Sequence, residues 1–144
     1  MENLKVAVEM EFTTSPQKLW KALTDKNEMK LWYFDLEKFE PEVGFEFRFP
    51  GGPEHKTYYH ICKITDIEIN KIIAYDWRYD GYAGNSNVKF EISQSGASPE
   101  KTKLILTHLG LDTFPDDNPD LAAKNFQEGW NYIIGTSLKN YLES

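Results

Sequence analysis

Leu121, Phe126, Trp130, Ile133, Ile134, Leu138, Tyr141 and Leu142 recur at helical spacing through the last part of the chain. This stripe restricts the fold more than any other feature. A helix of roughly six turns with a continuous apolar face must bury that face against a second layer. Asn118-Pro119-Asp120 supplies its expected start, with a capping side chain, a first-turn proline and an acid at the positive helix end. The acidic run Asp116-Asp117-Asn118 therefore reads as capping. As a calcium loop it would need glycine at its sixth position and glutamate at its twelfth, where the chain has Leu121 and Gln127.

The layer under that helix is expected to be a sheet. Leu4, Val6, Val8, Met10 and Phe12 alternate with Lys5, Ala7, Glu9 and Glu11, the period of a half-buried strand. Ser15-Pro16 then opens a short helix through Leu19, Trp20 and Leu23. Asp25 and Glu28 read as a capping box opening a second one through Met29, Leu31 and Trp32. From Phe39 to Leu109 nearly everything reads as strand: Phe45, Phe47 and Phe49 alternate before the turn Pro50-Gly51-Gly52-Pro53. The run from Thr57 to Ile69 follows, its alternation slipping near Thr65-Asp66 as at a bulge. Asn70-Lys71 turns the chain into Ile73, Tyr75, Trp77 and Tyr79. After a loop come Val88, Phe90 and Ile92, a turn at Ser95-Gly96-Ala97-Ser98-Pro99, and a last strand from Lys103 to Leu109. No repeat or linker divides residues 1–144, which are expected to form one α+β domain.

Composition removes several functions. Asp and Glu outnumber Lys and Arg by 23 to 16, a net charge of −7 that repels phosphate backbones, so no nucleic-acid partner is expected. No apolar run approaches the ~20 residues of a membrane span, so no membrane partner is expected either. The absence of an apolar leader after Met1 and the single Cys62 suggest a cytoplasmic protein without disulfides. Aromatic residues make up 15% of the chain, enough to fill a core and also line a pocket.

The order strand, two short helices, antiparallel strands and long helix resembles the helix-grip fold of the START and birch-pollen-allergen superfamily (SRPBCC). There a curved antiparallel sheet wraps around a long C-terminal helix. Ser15-Pro16 with Leu19-Trp20 and Ala22-Leu23-Thr24, Leu31-Trp32, Gly44-Phe45-Glu46-Phe47, Trp77, Leu104-Ile105-Leu106-Thr107-His108, Gly110-Leu111 and Gly129-Trp130 are similar to one branch. That branch is named after the C-terminal domain of the activator of heat-shock protein 90 ATPase. The resemblance spans essentially the whole chain. It departs where the family often has a glycine opening the long central strand, since Tyr58-Tyr59 stand there. It also lacks the separate N-terminal domain of the eukaryotic activator, so stimulation of a chaperone is not expected of this chain alone.

The resemblance implies a cavity between sheet and helix, near Trp32, Phe47, Trp77, Phe90, His108, Phe126 and Trp130. These aromatics could equally be ordinary core, and both readings stay open at this level. His108 needs a polar partner inside an apolar cavity, either a neighbouring hydroxyl or a ligand. The parity of its strand is ambiguous, because Ile105, Thr107 and Leu109 could face inward instead. His60 and Cys62 share a strand face, but only His55 lies nearby and zinc needs more ligands, so no metal and no cofactor are expected. No nucleophile elbow, phosphate loop or dinucleotide fingerprint is present, and no catalytic residue is assigned. The leading expectation is a domain binding a small hydrophobic ligand. The alternatives are a module contacting a chaperone, or a cyclase-like enzyme using the same cavity with His108 or His60 as base.

Overall fold

The computed structural model describes residues 5–95 and 100–143. Leu4 and most of the turn expected at residues 95–99 lie outside them. Six strands form one antiparallel sheet: β1 (Val6–Phe12), β2 (Glu46–Gly51), β3 (Tyr58–Glu68), β4 (Ile72–Tyr79), β5 (Ser86–Gln94) and β6 (Thr102–Leu109). Their order across the sheet is β1-β6-β5-β4-β3-β2. Two short helices, α1 (Pro16–Thr24) and α2 (Lys26–Trp32), follow β1. The chain ends in α3 (Ala123–Tyr132), a π-helical segment (Ile133–Leu138) and α4 (Lys139–Glu143). This is the helix-grip architecture.

Local chemistry sets the element ends. Ser15 accepts the Lys18 amide with its hydroxyl at 3.2 Å, and Pro16 opens α1. Asp25 closes α1 with its own amide and opens α2 by accepting the Asn27 amide at 2.8 Å. Glu28 does not complete a capping box: its carboxylate accepts the Tyr141 hydroxyl at 2.8 Å and so ties α2 to the C-terminal helix. The bulge falls where the alternation slips, with the β3–β4 register shifting between Ile64 and Asp66. The extra residue keeps Ile64 and Ile67, three apart, opposite Tyr75 and Ile73, two apart, so the apolar face stays inward. Asn70 takes φ 66° in the turn after β3.

Two expectations need correction. Residues 39–45 are not strand; the chain from Tyr33 to Phe45 is irregular and buries Leu36 and Phe39 beneath the sheet edge. The C-terminal helix is not one uninterrupted α-helix from Asn118. That residue caps a single 3-10 turn (Pro119–Leu121), Ala122 is extended, and α3 begins after it. The π segment has a packing reason. Phe126, Trp130, Ile134, Leu138 and Leu142 are spaced by four, and in an α-helix each such step rotates a side chain ~40° off the stripe. Winding at i→i+5 turns that drift back. Trp130, Ile134 and Leu138 are consequently all buried. Ser137, inside the π segment, donates its hydroxyl to the Trp32 carbonyl at 2.6 Å.

The core lies between the concave sheet face and this helix. Trp130 meets Trp77 and Phe90 with ring centroids 5.4 and 5.9 Å apart. Truncating Trp130 to Ala should cost about 3–5 kcal/mol of stability, read from denaturant midpoints. Tyr132→Ala, removing an exposed ring two residues on, should stay within about 0.5 kcal/mol of wild type. Equal effects at the two positions would show that the helix does not grip the sheet through Trp130.

Candidate ligand-binding cavity

β3 and β4 run side by side with His60 opposite Tyr79 and Cys62 opposite Trp77, all pointing to the concave face. The first turns of α3 cross above them. Between the two layers a cavity of about 600 Å³ remains, lined on the sheet side by His60, Trp77 and Tyr79 and on the helix side by Asn125, Phe126, Gly129, Trp130, Tyr132 and Ile133. Phe34, Gly52, Pro53 and Asp120 surround its mouth. Gly129 leaves open space at its Cα on the cavity side of the helix.

Of the seven residues expected near a cavity, Trp77, Phe126 and Trp130 line this one. Trp32, Phe47, Phe90 and His108 do not. They are buried behind it, with Trp32 donating its indole N–H to the Ala22 carbonyl at 2.9 Å. The parity question at β6 is resolved: Leu104, Leu106 and His108 face inward while Leu109 is exposed. Val6 and Val88 flank His108 on the neighbouring strands.

His108 is fully buried and its polar atoms are all used. Trp130 donates its indole N–H to His108 Nδ1 at 3.0 Å. The ring proton must therefore sit on Nε2, which lies 2.7 Å from Ser86 Oγ, and the serine hydroxyl donates onward to the Trp77 carbonyl at 2.7 Å. Burial holds the His108 pKa down to about 3. This histidine ties helix to sheet rather than facing a ligand.

His60 is the histidine that reaches the cavity. Its Nδ1 lies 3.2 Å from both the Phe49 and the Tyr58 carbonyls. Carbonyls only accept, so Nδ1 carries the proton and Nε2 the lone pair. Burial, only partly offset by those two carbonyls, lowers the His60 pKa to about 4. Tyr79 accepts the Trp77 indole N–H at 2.9 Å, and burial raises its phenol above the ordinary value. Burial likewise pushes the Cys62 thiol well up, away from the thiolate a metal would take. No group of three or more His, Cys, Asp and Glu side chains converges among the described residues.

The mouth is polar. Asp120 accepts the Tyr58 hydroxyl at 2.7 Å and pairs with His55 Nε2 at 2.9 Å, which fastens the β2–β3 turn to the segment before α3. The Tyr58 hydrogen bond, then His55, hold the Asp120 carboxyl below its usual range. Sequence reasoning missed Phe34, Tyr79 and Asp120 as lining residues. Tyr79 alone carried a usable signal, being next in the alternating series after Tyr75 and Trp77.

A curved antiparallel sheet closed by a C-terminal helix, with an aromatic cavity between them, defines a START-like domain of the SRPBCC superfamily. The model of the family described as Activator of Hsp90 ATPase homolog 1-like protein matches residues 13–143. The chain belongs to that family. Among solved structures, a protein from Rhizobium loti aligns with TM-score 0.80 at 23% identity over 96% of each chain. Another from Mesorhizobium loti gives 0.74 at 24% identity, again over 96% of each chain. DynU16, described as a protein of the dynemicin biosynthetic locus, gives 0.79 at 18% identity, covering 99% of this chain and 48% of its own. At these identities the likeness is one of fold. None of the curated proteins matches the chain.

The two lowered histidines predict an acid-labile fold. Well above pH 6.5 both rings are neutral in the folded and unfolded states and pH has no leverage through them. Below it the unfolded chain takes up protons that the folded chain refuses. Stability therefore falls by up to roughly 1.4 kcal/mol per pH unit for each histidine. The loss ends near pH 4 for His60 and near pH 3 for His108. Urea titrations between pH 7 and pH 4.5 should show this slope, and His60→Gln should remove about one proton's share of it. A His60→Gln profile parallel to wild type would mean that His60 titrates normally in the fold.

Proposed function

We propose that the chain binds a small, mainly apolar molecule in the cavity between α3 and the sheet. The observation that carries this reading is the cavity itself: about 600 Å³ bounded by Trp77, Tyr79, Phe126 and Trp130 and left unfilled by side chains. Concave, aromatic sites of this size with a few fixed polar groups are the usual form of small-molecule sites. The wall favours holding over turnover. A histidine with a pKa of about 4 offers no strong base near neutral pH. DynU16, named for a biosynthetic locus, gives the fold a small-molecule setting that fits the same reading.

Gly129 allows a test that spares the fold. A side chain there would project into open space, and replacing a helical glycine removes a penalty of up to ~1 kcal/mol. Gly129→Leu should thus keep or raise stability while filling the cavity. In a thermal-shift and tryptophan-quenching screen of sterols, fatty acids and aromatic compounds, hits should stabilise wild type by about 2.7 kcal/mol at a hundredfold excess over Kd. They should lose that effect on Gly129→Leu. Hits that bind both forms equally, or a screen without hits, would remove the cavity as the binding site.

A further inference from the structure

Apart from Asn125 and Tyr132 on the helix and Asp120 at the mouth, the polar side chains lining the cavity are His60 and Tyr79, which β3 and β4 set directly opposite each other with ring centroids 4.8 Å apart. The polar atoms of this pair are left half used. His60 Nδ1 is spent on two backbone carbonyls, while Nε2 has no partner among the described residues. Among the described residues no buried side-chain nitrogen or oxygen lacks a partner, so Nε2 is not sealed in protein and opens to the cavity that His60 lines. The Tyr79 oxygen accepts from Trp77, and its own proton has no acceptor among the described residues. One lone pair and one free O–H therefore belong to two rings packed edge to face on the same cavity wall.

We propose that this pair selects an uncharged aromatic hydroxyl compound, the ligand's O–H donating to His60 Nε2 and its oxygen accepting the Tyr79 proton. The proposal rests on the ligand-binding reading above and names the ligand's class. A hydroxyl is both donor and acceptor at one atom and satisfies both groups together. A carboxylate can take the Tyr79 proton but turns only lone pairs toward Nε2, and it must enter past the Asp120 carboxylate at the mouth. An ammonium donates to Nε2 but has nothing to accept from Tyr79. A hydrocarbon leaves both unpaired, and sites built around hydrogen bonds reject such analogues strongly. The aromatic part follows from the wall, since Phe34, Trp77, Phe126, Trp130 and Tyr132 present ring faces or edges around the same space.

Three probes of one size separate the terms: β-naphthol, naphthalene and β-naphthoate, each titrated against tryptophan emission at pH 7. β-Naphthol should bind on the order of tenfold or more tightly than either of the others. Tyr79→Phe and His60→Leu should each shrink that preference to about threefold or less without weakening naphthalene. A readout on the wild-type protein keeps the question open to test if a variant fails to fold. The nitrogen chemical shift of His60 Nε2 should move with β-naphthol and stay in place with naphthalene. Equal affinities for β-naphthol and naphthalene, or tighter binding of β-naphthoate, overturn the proposal and leave the apolar cavity standing. If none of the three binds and the wider screen is also empty, both readings fall together.

Discussion

The grip depends on a buried hydrogen-bonded chain: Trp130 N–H to His108, His108 to Ser86, and Ser86 to the Trp77 carbonyl. Apolar contact alone would let the helix slide or roll on the sheet, because dispersion and burial have little direction. The chain has direction at every step. Each member can donate or accept in only one sense once the indole N–H is placed, and misalignment would leave a buried polar group unpaired at a cost of about 1–3 kcal/mol. The register of α3 on β4, β5 and β6 is therefore fixed by three side chains and one backbone carbonyl. The cavity lies next to this anchor and not under it, so Trp130 and Trp77 are held rigid where they form the wall.

The π segment extends the same constraint toward the C-terminus. Trp130 sets where the stripe begins, and the four-residue spacing to Ile134 and Leu138 can stay on the sheet only if the helix unwinds locally. Ser137 secures that unwound turn against the end of α2, and Tyr141 reaches Glu28 in the same helix. The two short helices thus become the outer support of the grip. The segment before α3 is treated differently, with Asn118, Asp120 and Tyr58 joined in a polar cluster that also includes His55. The helix is packed at one end and tied at the other, and the cavity occupies the change between the two regimes.

Much of this could be read from residue pattern because one physical rule, burial of one face, fixed both the sheet and the helix. Trp77 and Trp130 faced each other in that reading because each sat on the apolar side of its own period. His108 could not be placed, because Leu104, Ile105 and Leu106 make both parities of β6 apolar. Only the pairing of Val6 and Val88 with His108 decides between them. His60 drew attention as a metal ligand or base, yet nothing local shows that two carbonyls fix its tautomer. Phe34 comes from an irregular loop, where periodicity carries no information. The π segment did leave a trace in the strict spacing by four, which an ideal α-helix cannot keep on one face.

The polar groups of this cavity also differ in kind from the surface around them. The chain carries a net charge of −7, and Asp120 brings that sign to the mouth. Inside, desolvation keeps His60 and Tyr79 uncharged. A site lined this way gains nothing from long-range attraction, so selection must come from shape and from hydrogen bonds made after water has been displaced. Such bonds discriminate best where the unpaired state is costly, and an aromatic wall around a donor and an acceptor is that setting. The burial that makes His60 a poor base at neutral pH is thus the same feature that makes it a selective acceptor.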